Sequence, residues 1–295
     1  MRDLQHALVE VADDLERWAR TARKPEPAAA PLAQLPERWG SGHVEVVAEG
    51  AVARARPRPG FLPCPLCRDV GFTFVADERG YEYAKACRCA GLRERVDAYN
   101  RAGVPAEHAG SRFEGFEWSS NELMRSVAQF TKDPIGRGLL LAGTNGTGKT
   151  HLLSAVARTL TLRDAVHVRY VDWGQLVDEV HAALSQKKSV RHVTEPLTRA
   201  TVLLVDELGK GTSGSDFHAS VVEELLGGRL GQIAAGTRQL GVMVATNLSI
   251  DRSADEPLSL AGKVGARVVS RLRGACEAFE LVGEDHRQRR AAGRA

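Results

Sequence analysis

The stretch GTNGTGKT at residues 143–150 decides the fold, because it matches the phosphate-binding pattern GxxxxGK[ST] at every fixed position. Its three glycines let the backbone turn N–H groups toward anionic oxygens without interference from a Cβ atom. The apolar run LLLA at residues 139–142 predicts a buried strand before the loop, and residues 151–160 predict a helix after it. The sequence therefore predicts a phosphate site between a strand and the N-terminus of a helix.

The residues of this loop have separate expected roles. The positive end of the helix dipole adds to the unpaired backbone N–H groups at the same place. We expect Lys149 to hold the β and γ phosphates of ATP, and Thr150 to bind Mg²⁺. A chance glycine-rich turn before a helix is the alternative. The expected nucleotide-binding set is Gly143, Thr144, Asn145, Gly146, Thr147, Gly148, Lys149, Thr150 and His151.

Two adjacent carboxylates follow a second apolar run. TVLLV at residues 201–205 predicts a buried parallel strand that ends in Asp206 and Glu207. Ligands of open α/β sheets collect at the carboxyl ends of the strands. Because neighbouring strand positions project in different directions, we expect Asp206 to organise the magnesium shell and Glu207 to polarise the attacking water. Taken alone, an acidic residue after a strand is more often a helix cap.

A third apolar run, VMVA at residues 242–245, ends in a polar tip and predicts a strand beside the phosphate loop. Asn247 at this tip is expected to sense the γ-phosphate, and a role as a turn residue is the alternative. Two phenylalanines that precede the phosphate loop, Phe113 and Phe116, are expected to pack in the core.

The motifs GTNGTGKT, LLVDE, VATN and GARVVSRLR occur in this order and resemble those of AAA+ ATPases. More narrowly, they resemble the DnaC/DnaI bacterial helicase-loader family and its transposition relative IstB. The resemblance implies an α/β fold of the P-loop NTPase type, with a parallel sheet, flanking helices and a lid that is absent or minimal. Only 24 residues follow Arg271 (295 − 271), too few for a lid of several helices.

The last motif, at residues 265–273, implies an arginine that acts on a neighbouring subunit. By resemblance, Arg271 reaches the ATP of that neighbour, with Arg267 one helical turn earlier on the same face. Such an arginine would neutralise charge on the transferred phosphoryl group, so hydrolysis would require assembly into a ring or spiral. A solvated basic helix is the alternative.

Four cysteines form a second candidate site. The segments CPLC and CRC supply Cys64, Cys67, Cys87 and Cys89. Strand-like residues 71–76 and 81–84 predict a hairpin that brings the two pairs together. Four thiolates suit a closed, tetrahedral and structural Zn²⁺ site. A disulfide or an iron–sulfur cluster is the alternative, because CxC is less usual than CxxC. Cys276 lies in an apolar stretch and is expected to be an inert buried thiol.

Composition indicates two folded parts, because 295 residues with 43% hydrophobic content suffice for one ATPase core and a small module. We expect an amphipathic N-terminal helix at 1–22, a Pro/Ala-rich linker with a possible hairpin at 23–57, a zinc-binding module at 58–102 and the ATPase domain at 103–295. The apolar stripe of the first helix is expected either to pack within its own domain or to bind a partner. In the loader family, the N-terminal region binds the replicative helicase.

The N-terminus lacks the apolar stretch of a secretion signal, and no run of about 18 apolar residues occurs. We therefore expect a cytoplasmic protein without a membrane partner, where reduced thiols favour zinc over disulfides. The net charge of +3 gives no uniformly basic face. By resemblance, Lys187, Lys188, Arg191 and Lys210 lie in loops that would face single-stranded DNA in a central channel. For any one of the lysines, a solvated side chain without a partner is the alternative, and it is the better supported of the two.

The combined expectation is an ATP-dependent helicase loader of DNA replication. It would bind ATP and Mg²⁺, self-associate, and act on single-stranded DNA and a replicative helicase. An IstB-like transposition ATPase and a nucleotide-switched zinc adaptor without significant hydrolysis are the alternatives. A GTPase is disfavoured because no NKxD sequence follows the acidic strand.

Overall fold

The computed structural model describes residues 43–58, 64, 66–68, 70–87, 89, 91–114, 116–212, 214–237 and 239–283. The helix expected at 1–22, residues 23–42 of the expected linker region and the residues after 283 lie outside these residues. The described residues divide into two compact units. Those from 64 to 89 form the smaller unit, and those at 43–58 and from 91 onward form the larger one.

The described elements are numbered in chain order. The strands are β1 (Val44–Glu49), β2 (Val52–Pro57), β3 (Phe72–Ala76), β4 (Glu82–Ala86), β5 (Gly138–Ala142), β6 (Val168–Asp172), β7 (Val202–Asp206), β8 (Gly241–Thr246) and β9 (Glu277–Glu280). The α-helices are α1 (Leu92–Ala102), α2 (Asn121–Lys132), α3 (Lys149–Asp164), α4 (Trp173–Ser185), α5 (Val190–Thr198), α6 (Ser215–Ala234), α7 (Leu260–Val264) and α8 (Ala266–Ala275).

A five-stranded parallel sheet in the order β6-β7-β8-β5-β9 forms the centre of the larger unit. Every residue of β5, β7 and β8 is buried, which explains why these strands are continuous apolar runs instead of alternating ones. Helices flank the sheet, so the predicted α/β fold is confirmed. Among the residues described up to 283, no helix follows α8.

The register of the sheet aligns the polar ends of its strands. Asp172 pairs with Asp206 across β6 and β7, and Ala142 pairs with Thr246 across β5 and β8. Because β8 lies between β5 and β7, the segment after β8 separates the phosphate loop from the acidic pair. The polar segments that follow β5, β7 and β8 therefore lie at the same carboxyl edge of the sheet, as predicted.

The larger unit begins earlier than the expected boundary at residue 103. The β1–β2 hairpin, expected within the linker region, belongs to this unit, as does α1, which was assigned to the zinc module. Asn100 on α1 joins the two, because its Oδ1 accepts from Ala55 N at 2.8 Å and its Nδ2 donates to Ala55 O at 3.0 Å. These side-chain bonds are long-range in sequence, so no local pattern indicated them.

Helix α2 has an apolar stripe, and Leu123, Val127 and Phe130 are all buried. Its N-cap is Ser120, whose Oγ accepts from Leu123 N at 3.0 Å. Helix α4 is capped in the same way by Asp172, whose Oδ1 accepts from Gln175 N at 2.9 Å.

The smaller unit contains the predicted hairpin. Strands β3 and β4 pair antiparallel from Phe72 opposite Ala86 to Ala76 opposite Glu82. Asp77 closes the turn, since its Oδ1 accepts backbone N–H groups of Arg79 and Tyr81 at 2.9 Å each. In the part of the chain that the structure describes, no helix is long and apolar enough to cross a bilayer.

Candidate nucleotide and metal sites

The phosphate loop between β5 and α3 has a backbone that only glycine fits. Gly143, Gly146 and Gly148 have φ angles of 147°, 80° and 90°. A Cβ atom at Gly143 would lie 2.3 Å from Leu281 O, and one at Gly148 would lie 2.8 Å from Phe116 Cε2. Gly148 also precedes α3 without a side chain that could cap its first turn. The first turn of the helix therefore has no side-chain cap at the loop, which is the place where a helix N-terminus binds an anion.

Lys149 folds back over this loop and is only 6% exposed. Its Nζ donates to Gly143 O at 2.8 Å and to Thr144 O at 2.6 Å. Thr147 supports the same turn, because its Oγ1 donates to Thr144 O at 3.0 Å. Phosphate oxygens carry more negative charge than these carbonyls and form stronger bonds with an ammonium group. The lysine is thus placed at the loop by contacts that a phosphate can replace.

The other predicted loop residues are less buried. Asn145 is exposed at the loop tip, and Thr150 is half-buried in the first turn of α3. His151 has its Nε2 2.7 Å from Arg112 O, and its ring stacks on Phe116 with centroids 5.6 Å apart. His151 is therefore held by the segment before α2.

Phe113 and Phe116 are half-buried, so their expected place in the core is wrong. Both contact Trp118, with ring centroids 6.1 Å and 4.8 Å away respectively. The three rings form an aromatic cluster, and Phe116 closes one side of the phosphate loop at Gly148. The sequence could not indicate this position, because Phe116 and Gly148 come into contact only in the folded chain.

Asp206 ends β7 and is 3% exposed. Its Oδ2 accepts from the Tyr170 hydroxyl at 2.5 Å, and its Oδ1 accepts from Glu207 N at 2.9 Å. Burial, together with the nearby charge of Asp206, holds the pKa of Tyr170 well above its ordinary value. The hydroxyl therefore stays protonated and donates a hydrogen bond to Asp206. Sequence reasoning missed Tyr170, although it stands two residues before Asp172, the register partner of Asp206.

Glu207 lies beyond the end of β7, whereas we expected it on the strand itself. Its φ of 55° is in the left-handed region, which costs a non-glycine residue about 1 kcal/mol or more. Glu207 forms an ion pair with Lys210, whose pKa is raised by that hydrogen bond and by the charges of Asp172 and Asp206. Lys210, expected in a DNA-facing loop, therefore contacts the predicted water-polarising residue.

Asn247 follows β8 and is half-buried. The preceding Thr246 is fully buried; its Oγ1 donates to Leu208 O at 2.8 Å and accepts from Leu248 N at 3.1 Å. These bonds attach the end of β8 to the loop after β7. Asn247 is thereby held between the phosphate loop and the acidic pair.

The two predicted arginines on α8 have different surroundings. Arg267 is exposed. Arg271 contacts α6 of its own chain, because it forms an ion pair with both carboxylate oxygens of Glu223 and donates to Gly227 O at 2.8 Å. Sequence reasoning did not identify Glu223 or Gly227. The structure thus assigns Arg271 an intramolecular partner in the single chain.

Cysteine sulfur atoms converge at the base of the β3–β4 hairpin. The Sγ atoms of all four lie within 4.8 Å of one another, and the residues are buried. Cys64 Sγ is 3.8 Å from Cys87 Sγ, and Cys67 Sγ is 3.3 Å from Cys89 Sγ. Tetrahedral zinc with bonds of about 2.3 Å places its sulfur ligands about 3.8 Å apart, so the cluster fits this ion. None of the five cysteines forms a disulfide in the structure.

The residues at the sheet edge also fit Mg²⁺ and a nucleotide. The glycine cradle has the shape of a phosphate site, since Cβ atoms would fill it. The Thr150 hydroxyl and the Asp206 carboxylate are hard oxygen donors, which Mg²⁺ prefers. The predicted nucleotide-binding residues and acidic pair are therefore chemically consistent with each other.

Comparison with known proteins identifies a family. Residues 120–291 match the family described as "IstB-like ATP binding protein", which is more than half of the chain. Among curated proteins, the chromosomal replication initiator protein DnaA of Oenococcus oeni (strain ATCC BAA-331 / PSU-1) is 33% identical over 93 residues. That match covers 30% of this chain and only 20% of DnaA, so the chain spans about a fifth of the relative's length.

Two solved structures resemble parts of the fold. The crystal structure of the DnaC helicase loader has a TM-score of 0.49 at 20% sequence identity, and the match covers 60% of this chain and 99% of that chain. The crystal structure of DnaI has a TM-score of 0.46 at 22% identity, covering 61% of this chain and 93% of that chain.

Proposed function

The chain belongs to the IstB-like ATP-binding protein family, and on that premise we propose that it is a magnesium-dependent ATPase whose hydrolysis requires self-assembly. One observation carries the proposal: the sheet register brings a glycine cradle with Lys149 to the same edge as Asp206 and Glu207. A second carboxylate near a bound phosphate can act as the general base for an attacking water. The pair therefore supports catalysis as well as binding.

Each residue has a distinct role in this proposal. The phosphate loop binds the β and γ phosphates through its backbone and Lys149. Thr150 and Asp206 would hold Mg²⁺, which offsets phosphate charge when bound. Glu207 accepts a proton from the attacking water, and Asn247 orients the γ-phosphate from the neighbouring strand. For Glu207 to act, its ion pair with Lys210 must open.

Arg271 supplies the missing positive charge from a second subunit. An arginine beside the transferred phosphoryl group stabilises charge in the transition state, which makes hydrolysis dependent on assembly. In one chain Arg271 contacts Glu223 and Gly227, so it would exchange these partners when the subunits meet. The proposed assembly is a ring or spiral.

The experiment that tests this function is steady-state ATP hydrolysis by the full chain over a range of protein concentrations. Turnover per subunit should rise with concentration, and Glu207→Gln should abolish it while ATP stays bound. A rate per subunit that does not change with concentration would contradict the dependence on assembly. Absence of hydrolysis despite ATP binding would favour the nucleotide-switched zinc adaptor.

We further propose that the assembly loads a replicative helicase on single-stranded DNA. The motif order that resembles the helicase-loader family, together with the four-cysteine cluster in a unit of its own, supports this role. Binding of a purified replicative helicase in the presence of ATP tests it directly. The family match itself favours a second candidate, an ATPase that assists a transposase. Preferential binding to a transposase over the helicase would select that candidate.

A further inference from the structure

We propose that Tyr170 is a positioning residue for magnesium: its hydroxyl fixes the orientation in which Asp206 receives the ion and its waters. This inference rests on the proposed ATPase function and names a residue outside the phosphate loop and the acidic pair. It starts from the 2.5 Å bond that the Tyr170 hydroxyl donates to Asp206 Oδ2.

The backbone of a strand does not by itself fix the orientation of a carboxylate at its end. The terminal torsion of aspartate is broad and roughly two-fold, so a single hydrogen bond leaves the group free to rotate. Asp206 has two donors from two different elements, Tyr170 on β6 and the backbone N–H of Glu207 after β7. Rotation of the carboxylate would break both bonds at once.

The two donors also leave capacity for a metal. An ionised carboxylate has about four lone-pair positions, and Tyr170 and Glu207 occupy two of them. The remaining positions can accept Mg²⁺ or its bound waters without loss of either protein bond. The hydroxyl thus orients the ligand and does not compete with the ion.

Tyr170 is itself held rigidly. It is 8% exposed and lies on β6, whose pairing with β7 runs in register from Val168 opposite Val202 to Asp172 opposite Asp206. The buried ring therefore fixes the position of the hydroxyl relative to the end of β7. Partners of this kind typically change metal affinity by about 10- to 100-fold when they are removed.

Tyr170→Phe tests the inference, because it removes one oxygen atom and keeps the buried ring. The probe is a fluorescent, non-hydrolysable ATP analogue, bound to the full chain first in EDTA and then across a Mg²⁺ titration. We expect unchanged metal-free affinity and an increase of about tenfold in the Mg²⁺ concentration at half saturation. In hydrolysis, the KM for Mg²⁺ should rise while kcat at saturating Mg²⁺ is largely retained.

Tyr99→Phe is the matched control. Tyr99 is 1% exposed, and its hydroxyl has no hydrogen-bond partner among the described residues. This variant loses the same atom from an equally buried ring, so its Mg²⁺ requirement should equal that of the wild type. A second test combines Tyr170→Phe with Asp206→Asn, where the tyrosine change should add nothing.

The outcomes separate this inference from the proposed function. If the wild type binds the analogue with a normal Mg²⁺ response and Tyr170→Phe has the same response, Tyr170 has no positioning role. If Tyr99→Phe shifts the Mg²⁺ requirement equally, the effect is one of core packing and the inference is also overturned. Failure of the wild type to bind the analogue at all would overturn both proposals together.

Discussion

At the scale of single residues, the proposed nucleotide binding depends on Lys149 and its loop. Lys149→Ala should weaken ATP binding by about 10- to 100-fold, because it removes a charge-assisted bond to phosphate. Equilibrium titration with an ATP analogue measures the change. Lys132→Ala, which removes an exposed lysine at the end of α2, is the control and should bind normally. Equal affinity of Lys149→Ala and the control would contradict the assigned role of the loop.

Thiol reactivity gives a second prediction at this scale. Burial raises the pKa of Cys276 to about 12, far above a working pH of about 8, so this thiol stays protonated and unreactive in the folded chain. With zinc bound, the native protein should show almost no reactive thiol toward a maleimide probe. Strong chelation should expose four thiols, and denaturation the fifth. Rapid labelling of Cys276 in the folded chain would contradict its burial.

At the scale of elements, α6 contains two adjacent glycines in different surroundings. A Cβ atom at Gly227 would lie 2.6 Å from Glu223 Oε1 and 3.4 Å from Arg271 NH1, whereas one at Gly228 would contact nothing within 4 Å. Alanine is preferred over glycine in a helix interior by about 1 kcal/mol. Gly228→Ala should therefore raise the free energy of unfolding by about 1 kcal/mol and leave ATP turnover unchanged.

The stability of Gly227→Ala is to be compared with that of Gly228→Ala. Gly227→Ala has the same gain in helix propensity but displaces the Glu223–Arg271 ion pair, so its net stabilisation should be smaller than that of Gly228→Ala. Chemical denaturation of both variants measures the difference. Equal stabilisation would show that Arg271 does not depend on the space beside Gly227.

The elements also show which parts of the site the sequence could predict. The phosphate loop and the strand that ends at Asp206 follow from local residue types and spacing, and the structure contains both. Tyr170 and Glu223 escaped prediction because their contacts join residues 36 and 48 positions apart in sequence. Such contacts depend on sheet register and helix packing, which hydrophobic periodicity does not specify. The left-handed turn at Glu207 likewise reflects the loop geometry and not the strand pattern.

At the scale of the whole molecule, the division into units differs from the one that composition indicated. Residues 23–57 were expected to form a linker with a possible hairpin, and α1 to belong to the zinc module, but β1, β2 and α1 are part of the larger unit. The cysteine-containing hairpin is a compact unit of its own. We expect chelation to unfold this unit first, since its two strands offer little apolar burial, while nucleotide binding persists.

The central claim is that one subunit completes the nucleotide site of another. Arg271→Ala keeps its own Glu207 but lacks the arginine, and Glu207→Gln keeps the arginine but lacks the carboxylate. Each variant alone should be nearly inactive in ATP hydrolysis, and an equimolar mixture should recover a clear fraction of wild-type turnover, because mixed interfaces pair an intact Glu207 with an intact Arg271. Hydrolysis by Arg271→Ala alone at the wild-type rate, or no recovery in the mixture, would contradict this account.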